Sequence, residues 1–114
     1  TKSNIAAWKL YLGDDYGTDR VSKYAAPARE TDFSGLPPTL TFIGSIDPFL
    51  AETQSYVDSL RAAGIPVMFK ILEGGFHSFD MYYFADIAKE ANKFIRDGFK
   101  FAAENYSAPQ PEDV

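Results

Sequence analysis

Apolar positions along this chain change period several times, and each change marks an element. Ser3 to Leu12 reads as a helix: Ile5, Trp8 and Leu12 share a stripe, Ser3 can cap it and Gly13 ends it. Asp14 to Arg20 is polar and contains glycine, a loop whose carboxylates do not have calcium-loop spacing. Pro27, Gly35, Pro37 and Pro38 forbid a long element over residues 21–38. Thr39 to Ile43 is β-branched and aromatic and is closed by Gly44, a strand signature. From Ala51 to Ala63 the period is helical, with Tyr56, Val57, Leu60 and Ala63 in line, and Gly64 followed by Pro66 is a strong stop. Val67 to Leu72 is apolar except for Lys70, as in a strand covered on both faces. A long helix is predicted from Asp80 to Tyr106, with Phe84, Ile87, Ala91, Phe94 and Phe99 keeping its spacing and Gly98 a weak point within it. Ser107 to Val114, with two prolines and two acids, is expected to fray.

Strand, helix, strand, helix is a βαβ unit with a closing helix, so the fold class is α/β with a parallel pair of strands. In such sheets ligands meet the carboxyl ends of the strands. Two residues fall just beyond those ends. Asp47 follows the first strand, and His77, the sole histidine of 114 residues, follows the second after Gly74-Gly75-Phe76. An aspartate and a histidine at one sheet edge could form two members of a Ser-His-Asp system, with the imidazole as general base and then general acid. Plainer readings stand beside this one. An aspartate before proline is a common turn or capping residue, and a lone histidine is often only a surface residue. No serine sits in a Gly-x-Ser-x-Gly elbow. Ser45 comes nearest, in Gly44-Ser45-Ile46-Asp47, but lacks the second glycine and adjoins the acid. Tyr82-Tyr83-Phe84 could line an acyl pocket, although packing at the start of the last helix is the simpler expectation.

Composition narrows the classes. With 46% hydrophobic and 16% aromatic residues the chain is too apolar to be disordered. A net charge of −5 with scattered Lys and Arg speaks against a nucleic-acid partner. No apolar run approaches the roughly 20 residues of a spanning helix, so no membrane partner is expected. One histidine and no cysteine make a metal site unexpected, and no cofactor motif is present. The compartment is left open by the absence of cysteine, with the cytoplasm as the default. The chain lacks an initiator Met and starts inside a helical pattern, which fits a fragment.

Short motifs in order give the pattern a resemblance. Tyr11-Leu12-Gly13, Tyr24-Ala25-Ala26-Pro27-Ala28, Gly35-Leu36-Pro37-Pro38-Thr39, Asp47-Pro48-Phe49, Leu60-Arg61-Ala62-Ala63-Gly64-Ile65-Pro66-Val67 and His77-Ser78-Phe79 together resemble the C-terminal part of the α/β-hydrolase fold. More narrowly, they are similar to the hormone-sensitive-lipase-like esterases. The likeness runs from Trp8 to about Phe99. It implies an incomplete sheet, with residues 1–106 as the C-terminal segment of a hydrolase domain and 107–114 as a tail. It implies a short-chain carboxylic-ester substrate for the parent enzyme, Asp47 and His77 as acid and base, and Phe49 and Phe79 beside them as substrate contacts. Ser78 stands where the family has glycine, which a loop can tolerate, and Ala51 where many members have an acid, with Glu52 adjacent. The family's nucleophile and oxyanion loop have no counterpart here, so the isolated chain is expected to be inactive. The alternative is a truncated, non-catalytic α/β interaction module. In either case the Thr39–Ile43 strand would present an open edge, through which a homodimer could form.

Overall fold

A computed structural model describes residues 2–106; the expected tail at 107–114 lies outside the described residues. The fold divides into two compact units between Asp32 and Phe33.

The first unit begins with helix α1, Lys2–Leu12, so Ser3 lies inside the helix rather than capping it. None of the α1 residues is buried. A loop follows that is held by its own side chains. Arg20 Nε donates to Asp15 Oδ1 at 2.8 Å, Thr18 Oγ1 donates to Asp15 O at 2.8 Å, and Arg29 Nη2 donates to Thr18 O at 3.2 Å. The region expected to be irregular contains one short 3₁₀ turn, Pro27–Arg29, with proline at its start.

The second unit carries the sheet. Strand β1, Thr39–Gly44, pairs in parallel with β2, Val67–Leu72, from Thr39 opposite Val67 to Gly44 opposite Leu72. The sheet has two strands among the described residues, so each has one neighbour. Helix α2, Leu50–Ala62, makes the crossover and buries Val57 and Leu60. Gly64, with φ +78°, ends it: the Gly64 N–H donates to Arg61 O at 3.0 Å and the Ile65 N–H to Leu60 O at 3.0 Å. This is the Schellman pairing that satisfies a helix's last carbonyls. Ile65-Pro66 then leads straight into β2. That strand is less covered than its apolar sequence implies: most of it is half-buried and Ile71 is 40% exposed. A pair of strands cannot enclose itself as a full sheet does.

Helix α3 is Asp86–Asn105, not the longer helix that the apolar spacing predicts. Residues 79–85 leave the helical path. Phe79–Met81 form a single 3₁₀ turn, Tyr82 sits at φ −87°, ψ 61°, and the Ala85 N–H donates to Tyr82 O at 2.8 Å. Asp86 then stands in the first turn of α3, where a carboxylate suits the helix dipole. Tyr82, Tyr83 and Phe84 are therefore exposed loop residues rather than packing at a helix start. The core joins Leu72, Phe79 and Ala91, with Phe42 and Ile87 against it. Gly98 proves to be a packing residue: a Cβ there would lie 2.8 Å from Leu40 Cδ1. Its small size lets α3 approach β1 closely.

Candidate active site

At the carboxyl ends of β1 and β2 the backbones touch. A Cβ on Gly44 would lie 2.0 Å from Gly75 O, and one on Gly75 would lie 2.8 Å from Gly44 Cα and 2.9 Å from the Phe79 ring. Neither position tolerates a side chain without backbone movement. Hydrogen bonds join the two loops there. The Ser45 N–H donates to Leu72 O at 2.9 Å and the Ile46 N–H to Gly75 O at 3.1 Å.

The loop after β1 presents Asp47. Its N–H donates to Gly44 O at 3.1 Å, which closes a turn, and its carbonyl accepts the Leu50 N–H at 3.1 Å, which starts α2. The side chain is 5% exposed. Oδ1 accepts the Phe49 N–H at 2.8 Å, and Oδ2 lies 3.0 Å from His77 Nδ1. The turn-residue reading and the histidine-partner reading of Asp47 thus hold together, one on each carboxylate oxygen. Both oxygens have partners, so the buried group is not left uncompensated.

The loop after β2 presents His77. Gly74, at φ +75°, turns the chain back over the sheet edge. Ser78 adopts the left-handed conformation, φ 63° and ψ 24°, as the one non-glycine residue with positive φ among those described. The next residue, Phe79, goes into the core at 3% exposure, while the His77 side chain remains 62% exposed. An ionised carboxylate only accepts, so the 3.0 Å contact assigns the Nδ1 proton to the donor role. Nε2 is left for a second partner. Phe49 stands against the ring edge-to-face, with centroids 5.5 Å apart and planes at 65°.

The structure therefore brings together three of the residues picked from the sequence: Asp47, His77 and Phe49. It separates the fourth. Phe79 packs on Phe42 with ring centroids 5.7 Å apart and is enclosed by the core, so it supports the histidine loop from beneath and is not an exposed contact. From Phe76 in the same loop the rings of Tyr82, Phe84 and Tyr83 follow in turn, each edge-to-face on the next. Among the described residues no three His, Cys, Asp or Glu side chains converge as a metal site. No described helix is long and apolar enough to cross a membrane.

Comparison with known proteins bears on the family and the fold. Residues 1–81 match the family described as alpha/beta hydrolase fold. The chain belongs to that family. An esterase of Acinetobacter venetianus is 34% identical over 79 residues, which are 68% of this chain and 24% of that protein. The solved structure of a bacterial heroin esterase superposes with a TM-score of 0.69 at 36% identity, covering 75% of this chain and 28% of its own. The esterase LipW of Mycobacterium marinum superposes over 90% of this chain, and so past the family match, with a TM-score of 0.68 at 28% identity. Of LipW itself 31% is covered, so the chain spans less than a third of the length of each of these relatives. They are esterases of the same fold, and the two-stranded parallel sheet with its flanking helices is one portion of it.

Proposed function

We propose that Asp47 and His77 are the acid and base of a Ser-His-Asp system in a carboxylic-ester hydrolase whose nucleophile lies outside this chain. One observation carries the reading: the 3.0 Å approach of His77 Nδ1 to a buried Asp47 carboxylate beyond the carboxyl ends of adjacent parallel strands. Asp47 fixes the tautomer and steadies the imidazolium. Nε2 of His77 then takes the proton of a serine hydroxyl as it attacks the ester carbonyl, and returns it to the departing alcohol. In the second half, Nε2 takes a proton from water as the water attacks the acyl-enzyme, and passes that proton to the serine oxygen as the acyl bond breaks and the acid leaves. Phe49 flanks the ring and would limit where the substrate lies.

In a polypeptide that also carries the nucleophile, His77→Ala should lower turnover of a short p-nitrophenyl ester by several orders of magnitude. Asp47→Asn should lower it on the order of 10⁴-fold, as in other triads. The 114-residue chain alone should show no turnover above background. Unchanged turnover in the His77→Ala enzyme overturns the assignment. So does His77-dependent activity of the isolated chain, which would require a nucleophile within it.

A second reading, a self-associating α/β module, is favoured by the single strand neighbour of β1. Unpaired backbone along Thr39–Gly44 could pair with a second copy about a twofold axis. Sedimentation at micromolar concentration tests it, and a monomer with no affinity for an apolar dye rejects it.

A further inference from the structure

We propose that Ser45 is a positioning residue that sets the spacing between the acid loop and the base loop. The inference rests on the reading of Asp47 and His77 given above. The Ser45 Oγ accepts the Gly74 N–H at 2.8 Å, across 29 residues of sequence. Apart from the Asp47–His77 contact itself, this is the bond between the two loops that depends on a side chain; Ser45 N–H to Leu72 O and Ile46 N–H to Gly75 O would form with other residues in place.

Position gives the bond its leverage. Ser45 is two residues before Asp47, and Gly74 is three before His77. The bond lies on the same edge as the Gly44–Gly75 backbone contact. Gly74 is an exposed turn residue at φ +75°, so without Oγ its N–H would turn to water, and the turn would keep only its backbone ties to the loop after β1. The Gly44–Gly75 contact blocks approach beyond a limit, and the Ser45 bond opposes separation. Between them they hold the base loop at the distance where Nδ1 meets Oδ2. The acid–base pair is thus organised within this chain, before any nucleophile is added.

The test uses the whole 114-residue chain, whose single histidine makes the imidazole nitrogen spectrum unambiguous. Nitrogen chemical shifts of the neutral ring report the Nδ1–H to Nε2–H ratio, and amide exchange at Gly74 reports the bond itself. In the wild type Nδ1–H should dominate, and Asp47→Asn should abolish that bias. Ser45→Ala should lower the ratio by about fivefold and speed Gly74 exchange by a similar factor, the effect of one net hydrogen bond. Ser45→Thr, which keeps the hydroxyl, should restore both. Ser59→Ala removes a comparable hydroxyl, bonded to Ser55 O at 3.0 Å in α2, and should move neither. If Ser45→Ala does not fold, Ser45→Cys, a weak acceptor of similar shape, carries the test. Faster Gly74 exchange with an unchanged tautomer ratio overturns the positioning role and leaves the acid–base pair standing. A wild-type ring indistinguishable from that of Asp47→Asn overturns both.

Discussion

The two ends of the sheet in the second unit are built by different means. At the carboxyl end backbone meets backbone: Gly44 against Gly75, with loop amides donating across the gap and a carboxylate buried between its two partners. At the amino end the Thr39 N–H donates to Pro66 O at 2.9 Å, just ahead of the strand ladder. Beside it opens a cavity of about 280 Å³ lined by Leu40, Met68, Phe101 and Tyr106. Side chains define that end, and side chains can shift. Backbone defines the other, and backbone cannot shift without moving everything attached to it. The proposed chemistry sits at the rigid end, where a small displacement would separate Nδ1 from Oδ2.

The largest effect should come from beneath the histidine loop. Phe79→Ala removes a ring that is 3% exposed and packs on Phe42 and Gly75. It should cost about 4 kcal/mol in urea unfolding, enough to abolish a cooperative transition in a small unit. A loss below about 1 kcal/mol would mean that the core collapses into the gap and the carboxyl end is less rigid than described.

Next come two glycines, one at each end. Gly44→Ala drives a methyl group into Gly75 O and should cost about 3 kcal/mol, with loss of the Asp47–His77 contact. Gly98→Ala drives a methyl group into Leu40 Cδ atoms, which can rotate away, and it gains helix propensity. Its stability should stay within about 1 kcal/mol of the wild type by the same urea measurement. Equal costs at the two positions would break the comparison.

A smaller effect should follow at Ser78. Valine is ill-suited to the left-handed backbone there, so Ser78→Val should cost about 1.5 kcal/mol. Ser78→Gly relieves the strain but frees the unfolded chain, and should leave the urea midpoint nearly unchanged.

Much of this arrangement was legible along the chain. Val67–Leu72 reads as a strand because its apolar run is bounded by Gly64-Ile65-Pro66 and Glu73-Gly74-Gly75, and local chemistry is all that such boundaries need. The meeting of Asp47 and His77 follows from element order, since parallel strands put both carboxyl ends on one edge. What stayed hidden depends on distant contacts. The apolar spacing of Phe84 and Ile87 continues through residues 79–85, so nothing local reveals that the left-handed turn at Ser78 sends Phe79 into the core and delays α3 to Asp86. Gly98 reads as a weakness because propensity counts the helix alone and does not see Leu40. Ser45 reads only as a poor nucleophile, lacking a second glycine and adjoining the acid; its bond stays hidden because the partner, the Gly74 N–H, belongs to the other loop.

The smallest effect should come from exposed charge on α3, as a contrast with the buried carboxylate at the carboxyl end. A side-chain hydrogen bond from Lys93 holds the Asp97 carboxyl below its ordinary range, and one from Lys89 does the same for Asp86. Both carboxylates are open to water, where salt and solvent weaken such pairs. A carboxyl whose folded value is depressed adds stability above its unfolded value, near 3.9 for aspartate, and that contribution disappears as pH falls through the folded value. Asp97→Asn should therefore lower the urea midpoint slightly at pH 6, less at pH 3, and not at all well below the folded value or in about 1 M salt. A difference that persists at low pH would show that Asp97 acts through packing in the groove with Lys70, Phe94 and Phe101 rather than through its charge. The flank of α3 would then be less tolerant of change than a surface held by mobile side chains should be.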